Sequence, residues 1–249
     1  MTSPGRPIWL ELNAQRVTEA MAFYRELFAW GLRPLHVPPW GSIPLIGSGE
    51  RVFANQFMAM GAFATPLWMC RFSGDLERAA SKIPVLGGRA DGGIERIGDF
   101  AEQVYAHDPS GVSFTVINLL DRDVPQGDAD GEPCAAELWG GEPDLLAPFY
   151  AEAFGLEIKR TDLGAVLTDG ETPRLSLRKS EFEIAKPQWI PLFRTAGLGG
   201  DVERARRLGA IVQVHEHEII GMGRAAILAD PANAYFGLLE PQAPRCDES

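Results

Sequence analysis

The chain repeats itself, and that limits its fold more than any single motif does. The stretch Pro7-Ile8-Trp9-Leu10-Glu11-Leu12 returns as Pro133-Cys134-Ala135-Ala136-Glu137-Leu138, and Phe23-Tyr24 follows Glu11 as Phe149-Tyr150 follows Glu137. Asp75-Leu76-Glu77-Arg78-Ala79 is echoed by Asp201-Val202-Glu203-Arg204-Ala205, and Leu86-Gly87-Gly88 by Leu208-Gly209-Ala210. Each copy closes with Asp-Pro and a short apolar run, Asp108-Pro109 before Val112 to Leu119 and Asp230-Pro231 before Ala234 to Leu239. Landmarks recurring in one order mark a tandem duplication. The 249 residues suffice for two units of about 120 residues, near the usual domain size. We expect one unit over 5–120, an acidic, Pro- and Gly-containing linker over 121–132, a second unit over 133–241 and a tail over 242–249.

Within a copy the hydrophobic period changes. Trp9, Glu11 and Asn13 alternate with Ile8, Leu10 and Leu12, as in a strand. Val17, Ala20, Tyr24, Leu27 and Phe28 then recur at helical spacing, with Gly31 as the expected terminator. Short strands are predicted around 44–46, 52–54 and 56–60, before a new strand over 67–72 and a new helix over 76–86. Strand, helix and about three strands thus occur twice per copy. Two such units paired would bury sheet faces that each alone would expose.

Composition excludes several partners. A net charge of −11 repels nucleic acid and anionic membrane alike. No apolar run approaches the length of a membrane span, and the first residues lack the apolar core of a secretory signal. Cys70, Cys134 and Cys246 are too few and scattered for a disulfide framework or zinc motif, which points to a reducing, cytoplasmic location.

The landmarks resemble the vicinal oxygen chelate superfamily of glyoxalases, bleomycin-resistance proteins and extradiol dioxygenases. The residues that carry the likeness are Trp9-Leu10-Glu11-Leu12, Phe23-Tyr24-Arg25-Glu26-Leu27-Phe28, Leu86-Gly87-Gly88 and Asp108-Pro109-Ser110-Gly111, with their second-copy counterparts. The chain is most similar to two-domain actinobacterial members, and the likeness runs from about Pro7 to Pro241. It implies an α+β fold of two tandem domains, each of paired βαβββ modules curling into an open cup. Metal-dependent members place His, Gln or Glu at the starts of first strands and near the end of a last strand. Counting from the landmarks puts those positions at Trp9, Trp68 and Thr115 in the first copy, and at Ala135, Trp189 and Gly237 in the second. None is an ordinary metal ligand, so no metal or other cofactor is expected.

On this reading Trp9, Trp68, Cys70 and Thr115 line the first cup, with Trp40 over its mouth; Trp139, Trp189, Tyr235 and Arg178 line the second, with Arg174 and Arg224 as further candidates. Glu11 and Glu137 share the inward face, where burial would raise the carboxyl pKa and suit a general base. His215 and His217 read as an exposed strand segment, since no third metal ligand accompanies them. Three functions follow: a binder that sequesters or carries an apolar or aromatic small molecule, as in secondary metabolism; a metal-independent isomerase, lyase or cyclase using Glu11 or Glu137; and a standard metal-dependent glyoxalase or dioxygenase. A duplicated chain can build both cups as a monomer or homodimer.

Overall fold

A computed structural model of the chain describes residues 3–37, 41–58, 66–120, 126–180 and 186–242. Four βαβββ modules follow one another. The first comprises β1 (Pro7–Ala14), α1 (Val17–Phe28), β2 (Gly31–Val37), β3 (Gly41–Ser48) and β4 (Arg51–Met58). The second comprises β5 (Leu67–Phe72), α2 (Leu76–Val85), β6 (Arg89–Ile97), β7 (Ala101–His107) and β8 (Ser113–Leu119). The third comprises β9 (Pro133–Trp139), α3 (Pro143–Phe154), β10 (Glu157–Thr161), β11 (Gly164–Asp169) and β12 (Thr172–Arg178). The fourth comprises β13 (Gln188–Arg194), α4 (Leu198–Arg207), β14 (Ile211–Ile219), β15 (Gly223–Ala229) and β16 (Tyr235–Pro241).

Modules pair into two eight-stranded curled sheets, β2-β3-β4-β1-β5-β8-β7-β6 and β10-β11-β12-β9-β13-β16-β15-β14. The seam of each is antiparallel, β1 on β5 and β9 on β13. Parallel partners flank it: β4 beside β1 and β8 beside β5, β12 beside β9 and β16 beside β13. Two details differ from the sequence expectation. Helix α1 ends on Ala29 in the left-handed region (φ 58°), so Gly31 opens β2 rather than stopping the helix. The two short strands expected at 52–54 and 56–60 are, as far as Met58, the single strand β4; 59 and 60 lie outside the described residues.

The two halves share one core. Leu10, Tyr24, Trp68 and Phe72 of the first half join Leu138, Tyr150, Trp189 and Phe193 of the second in a continuous apolar cluster between the helix-bearing sheet faces. Phe72 meets Trp189 edge-on, with ring centroids 5.0 Å apart. This arrangement explains two repeated motifs. Tyr24 Oη donates to Asp230 Oδ2 at 3.0 Å, and Tyr150 Oη donates to Asp108 Oδ2 at 2.9 Å, so each Phe-Tyr reads the Asp-Pro turn of the other half. The second oxygen of each Asp accepts two backbone N–H groups of its own turn, from Ser110 and Val112 or from Ala232 and Ala234. Among the described residues no helix is long and apolar enough to cross a membrane.

Candidate functional site

The first cup contains a cavity of about 560 Å³, within the range of small-molecule sites. Its floor follows from strand register. Across the seam Trp9 faces Arg71 and Glu11 faces Met69; Arg71 in turn faces Thr115 on β8, and Asn55 on β4 lies beside Glu11. Cross-strand partners share a face, so Trp9, Glu11, Asn55, Arg71 and Thr115 belong to the cup. The walls are apolar: Leu35, Ile43, Leu45, Phe57, Phe100 and Ile117 line the same cavity. Trp9 is buried to 2% exposure and packs edge-on against Phe100 at 5.0 Å.

A chain of hydrogen bonds fixes the floor. Trp9 Nε1 donates to Asn55 Oδ1 at 2.7 Å, and Asn55 Nδ2 donates to Glu11 Oε2 at 3.0 Å. Arg71 Nη2 meets the same carboxylate oxygen at 2.7 Å, and Asn13 Nδ2 donates to Oε1 at 3.2 Å. Arg71 Nη1 donates to Gln103 Oε1, and Gln103 Nε2 donates to Glu95 Oε2 at 3.1 Å. Burial alone would raise the Glu11 pKa; the charge of Arg71 and the donors Asn55 and Asn13 more than offset it and leave it lowered. That corrects the expectation of a raised pKa. A carboxylate held ionised by a salt bridge is a weaker base than the buried, unpaired one the sequence suggested.

The second cup is filled. Position for position, Arg71 is replaced by Leu192, Gln103 by Ala225 and Thr115 by Gly237, and these lie among Ala135, Trp139, Ile190, Ile219 and Ile227. A side chain at Gly237 would collide with Leu192. Glu137, 1% exposed, accepts from Trp139 Nε1 at 2.8 Å and Ser176 Oγ at 2.7 Å, and its Oε2 lies 2.8 Å from His217 Nε2. Lacking an Arg71 equivalent, this carboxylate is engaged by a histidine from the edge hairpin. A recess of about 210 Å³ borders Ser176 and Arg178 without reaching Glu137.

Several expectations need correcting. Trp68 and Cys70 face the helices, not the cup, because the cup-facing positions of β5 are Met69 and Arg71. Trp68 Nε1 donates to Tyr24 Oη at 2.8 Å, and Trp189 Nε1 to Tyr150 Oη at 3.0 Å, so both indoles brace the joint between halves. Burial raises the Cys70 thiol pKa, which leaves it inert. His215 is exposed as expected, but His217 is buried against Glu137, and β14 shifts register between Val214 and His217. Trp139, Tyr235 and Arg178 lie on the second cup's face, with Arg178 stacked 5.6 Å over the Trp139 ring. Arg174 pairs with Asp169, and Arg224 with Glu216 and Glu240. Trp40 lies outside the described residues. Arg71, Asn55, Gln103 and Phe100 were not anticipated. Arg71 had a signal: a lone cation inside an otherwise apolar strand requires a buried partner.

No family model matches the chain. It is 26% identical over 251 residues, 95% of each chain, to the Mycobacterium tuberculosis protein named "Putative glyoxylase CFP32". It is 27% identical over 271 residues, 96% of this chain and 94% of the other, to the anthracycline biosynthesis protein DnrV of Streptomyces peucetius. Among solved structures, the 2,3-dioxygenase LapB from Pseudomonas sp. KL28 superposes with a TM-score of 0.65 at 16% identity, covering 100% of this chain and 96% of that one. The fold is that of the vicinal oxygen chelate superfamily. The Mn(II)-bound glyoxalase from Novosphingobium aromaticivorans shares this fold, with a TM-score of 0.64 at 12% identity over 97% of this chain and 84% of that one.

Vicinal oxygen chelate enzymes hold a metal in such cups, but the side chains here do not fit one. In the first cup the Glu11 carboxylate is already paired with the fixed guanidinium of Arg71, and the neighbouring positions are Trp9 and Thr115. Among the described residues no three His, Cys, Asp or Glu side chains are grouped to hold an ion.

Proposed function

We propose that the first cup binds a planar, largely apolar small molecule and that the protein sequesters, carries or presents it, with the second cup as scaffold. The observation that carries this reading is the 560 Å³ cavity, walled by Trp9, Phe57 and Phe100 above a rigid polar floor. Rigid aromatic walls with a few fixed polar groups suit a flat ligand. Relationship to a protein named for anthracycline biosynthesis supports an aromatic product of secondary metabolism as the ligand. Proton transfer by Glu11 is the weaker reading, given its engagement by Arg71. Glu137 is sealed from the recess near it.

Equilibrium dialysis with 9-fluorenone, a neutral planar tricycle, tests the reading. Trp9→Ala is expected to weaken binding about 10- to 100-fold, a loss of about 1.4–2.8 kcal/mol, as for truncation of a buried aromatic contact. Trp139→Phe, in the filled second cup, is expected to leave affinity within a factor of two or so. Equal losses in both variants, or absence of binding, would remove the first cup as the site.

A further inference from the structure

The charges that line the first cup do not balance. One cation, Arg71, shares the cavity with two carboxylates, Glu11 and Glu95. Arg71 is committed to Glu11 at 2.7 Å. Glu95 is left over. It lies on the edge strand β6, is exposed, and accepts from the neutral amide of Gln103 at 3.1 Å. Among the described residues no Lys, Arg or His pairs with it. Its neighbour Arg96 alternates to the other face of the strand and is engaged by Asp99 and Glu102.

The filled cup uses the same position differently. His217 opposes Ala225 as Glu95 opposes Gln103, so the two residues are equivalent in the repeat. There the edge residue serves the strand carboxylate, with His217 Nε2 2.8 Å from Glu137. In the open cup Arg71 takes over that service from β5, and the edge position adds a second acid to the wall of the cavity.

That acid restricts what can fill the space between Trp9, Phe57 and Phe100. A neutral ligand would strip water from the carboxylate and return nothing, and an anion would be repelled. An ammonium group replaces the lost water with a charge-assisted hydrogen bond, beside apolar walls that strengthen the attraction. Resting on the binding reading above, we propose that the first cup takes a planar aromatic ligand that carries a protonated amine, the ring against Trp9 and Phe100 and the ammonium donating to Glu95.

Equilibrium dialysis of the full chain at pH 7 with 9-anthracenemethylamine, 9-anthracenemethanol and 9-anthracenecarboxylate tests this, since one tricycle is presented as cation, neutral molecule and anion. The amine is expected to bind about five- to tenfold tighter than the alcohol, and the carboxylate more weakly than either. Glu95→Gln keeps the size of an exposed side chain and removes its charge. It is expected to reduce the amine-over-alcohol preference to within about twofold while leaving the alcohol's affinity unchanged. Glu102→Gln removes the same charge from the other face of the β6–β7 hairpin and is expected to keep the preference. Equal binding of amine and alcohol overturns this proposal but leaves the pocket reading intact. So does tighter binding of the carboxylate, a Glu95→Gln protein with undiminished preference, or an equal loss in Glu102→Gln. Failure of all three probes to bind overturns both.

Discussion

Replacing Tyr24 by Phe is expected to destabilise the chain by about 2–4 kcal/mol at pH 7.5, measured by urea unfolding. The ring keeps its place among Trp30, Phe193 and Phe236, so little packing is lost. What disappears is the middle of a relay between halves: Trp68 Nε1 loses its acceptor, and the Asp230 carboxylate loses a donor. An unsatisfied buried N–H costs about 1–3 kcal/mol, and a hydrogen bond to a charged group is worth about 1.5–3. The pH dependence is a second readout. Burial lifts the Asp230 pKa from 3.8 to about 6, against the lowering effect of its backbone donors and of Tyr24. A carboxyl whose folded pKa lies above its unfolded value binds its proton more tightly when folded. Its contribution is therefore present at low pH and lost as pH rises through about 6. Without Tyr24 that pKa rises further, so the destabilisation should be larger at pH 7.5 than at pH 5. Because the core is shared, the variant is expected to unfold in one transition. A loss below 1 kcal/mol, or separate melting of one half, would show that the relay does not join the halves.

The repeat made the fold legible, because a duplicated strand-helix-strand pattern admits few ways to bury its faces. The faces themselves were legible only where alternation is visible. On β1 the alternation of Trp9, Glu11 and Asn13 with Leu10 and Leu12 assigns both sides, and the structure places Trp9 and Glu11 in the cup. On β5 the sequence Leu-Trp-Met-Cys-Arg-Phe is largely apolar throughout. A central strand buried on both sides gives no period to read, and a one-residue slip moves every side chain to the other face. Family-based counting made that slip, taking Trp68 and Cys70 for the cup in place of Met69 and Arg71. The same slip put Trp189 inside the second cup, where Ile190 and Leu192 belong. Nor could the sequence tell an open cup from a filled one, since Glu11 and Glu137 are identical in type and place. The difference lies in long-range substitutions, Arg71 against Leu192 and Thr115 against Gly237, which acquire meaning only once β5, β8, β13 and β16 are aligned in space.

Replacing Arg71 by Met should be more damaging still, by about 3–5 kcal/mol at pH 7, because removing one member of a buried ion pair strands the other charge. In the native chain burial raises the Glu11 pKa, but Arg71, Asn55 and Asn13 together bring it below the usual 4.5. A carboxyl with a lowered folded pKa contributes stability above its unfolded pKa and loses it as pH falls through the folded value. In Arg71→Met the sign reverses: burial dominates, the folded pKa rises, and protonation relieves the stranded charge. The stability gap between wild type and variant should therefore narrow as pH drops from 7 towards 4. The raised carboxyls Asp108 and Asp230 sit outside this cup and contribute equally to both proteins, so they cancel in the difference. Adding Glu11→Gln to Arg71→Met should recover much of the loss, giving a coupling energy of about 1–3 kcal/mol in the double-mutant cycle. Additive losses would mean that Glu11 and Arg71 are independent. The guanidinium would then be neither neutralised nor held in place by its partner.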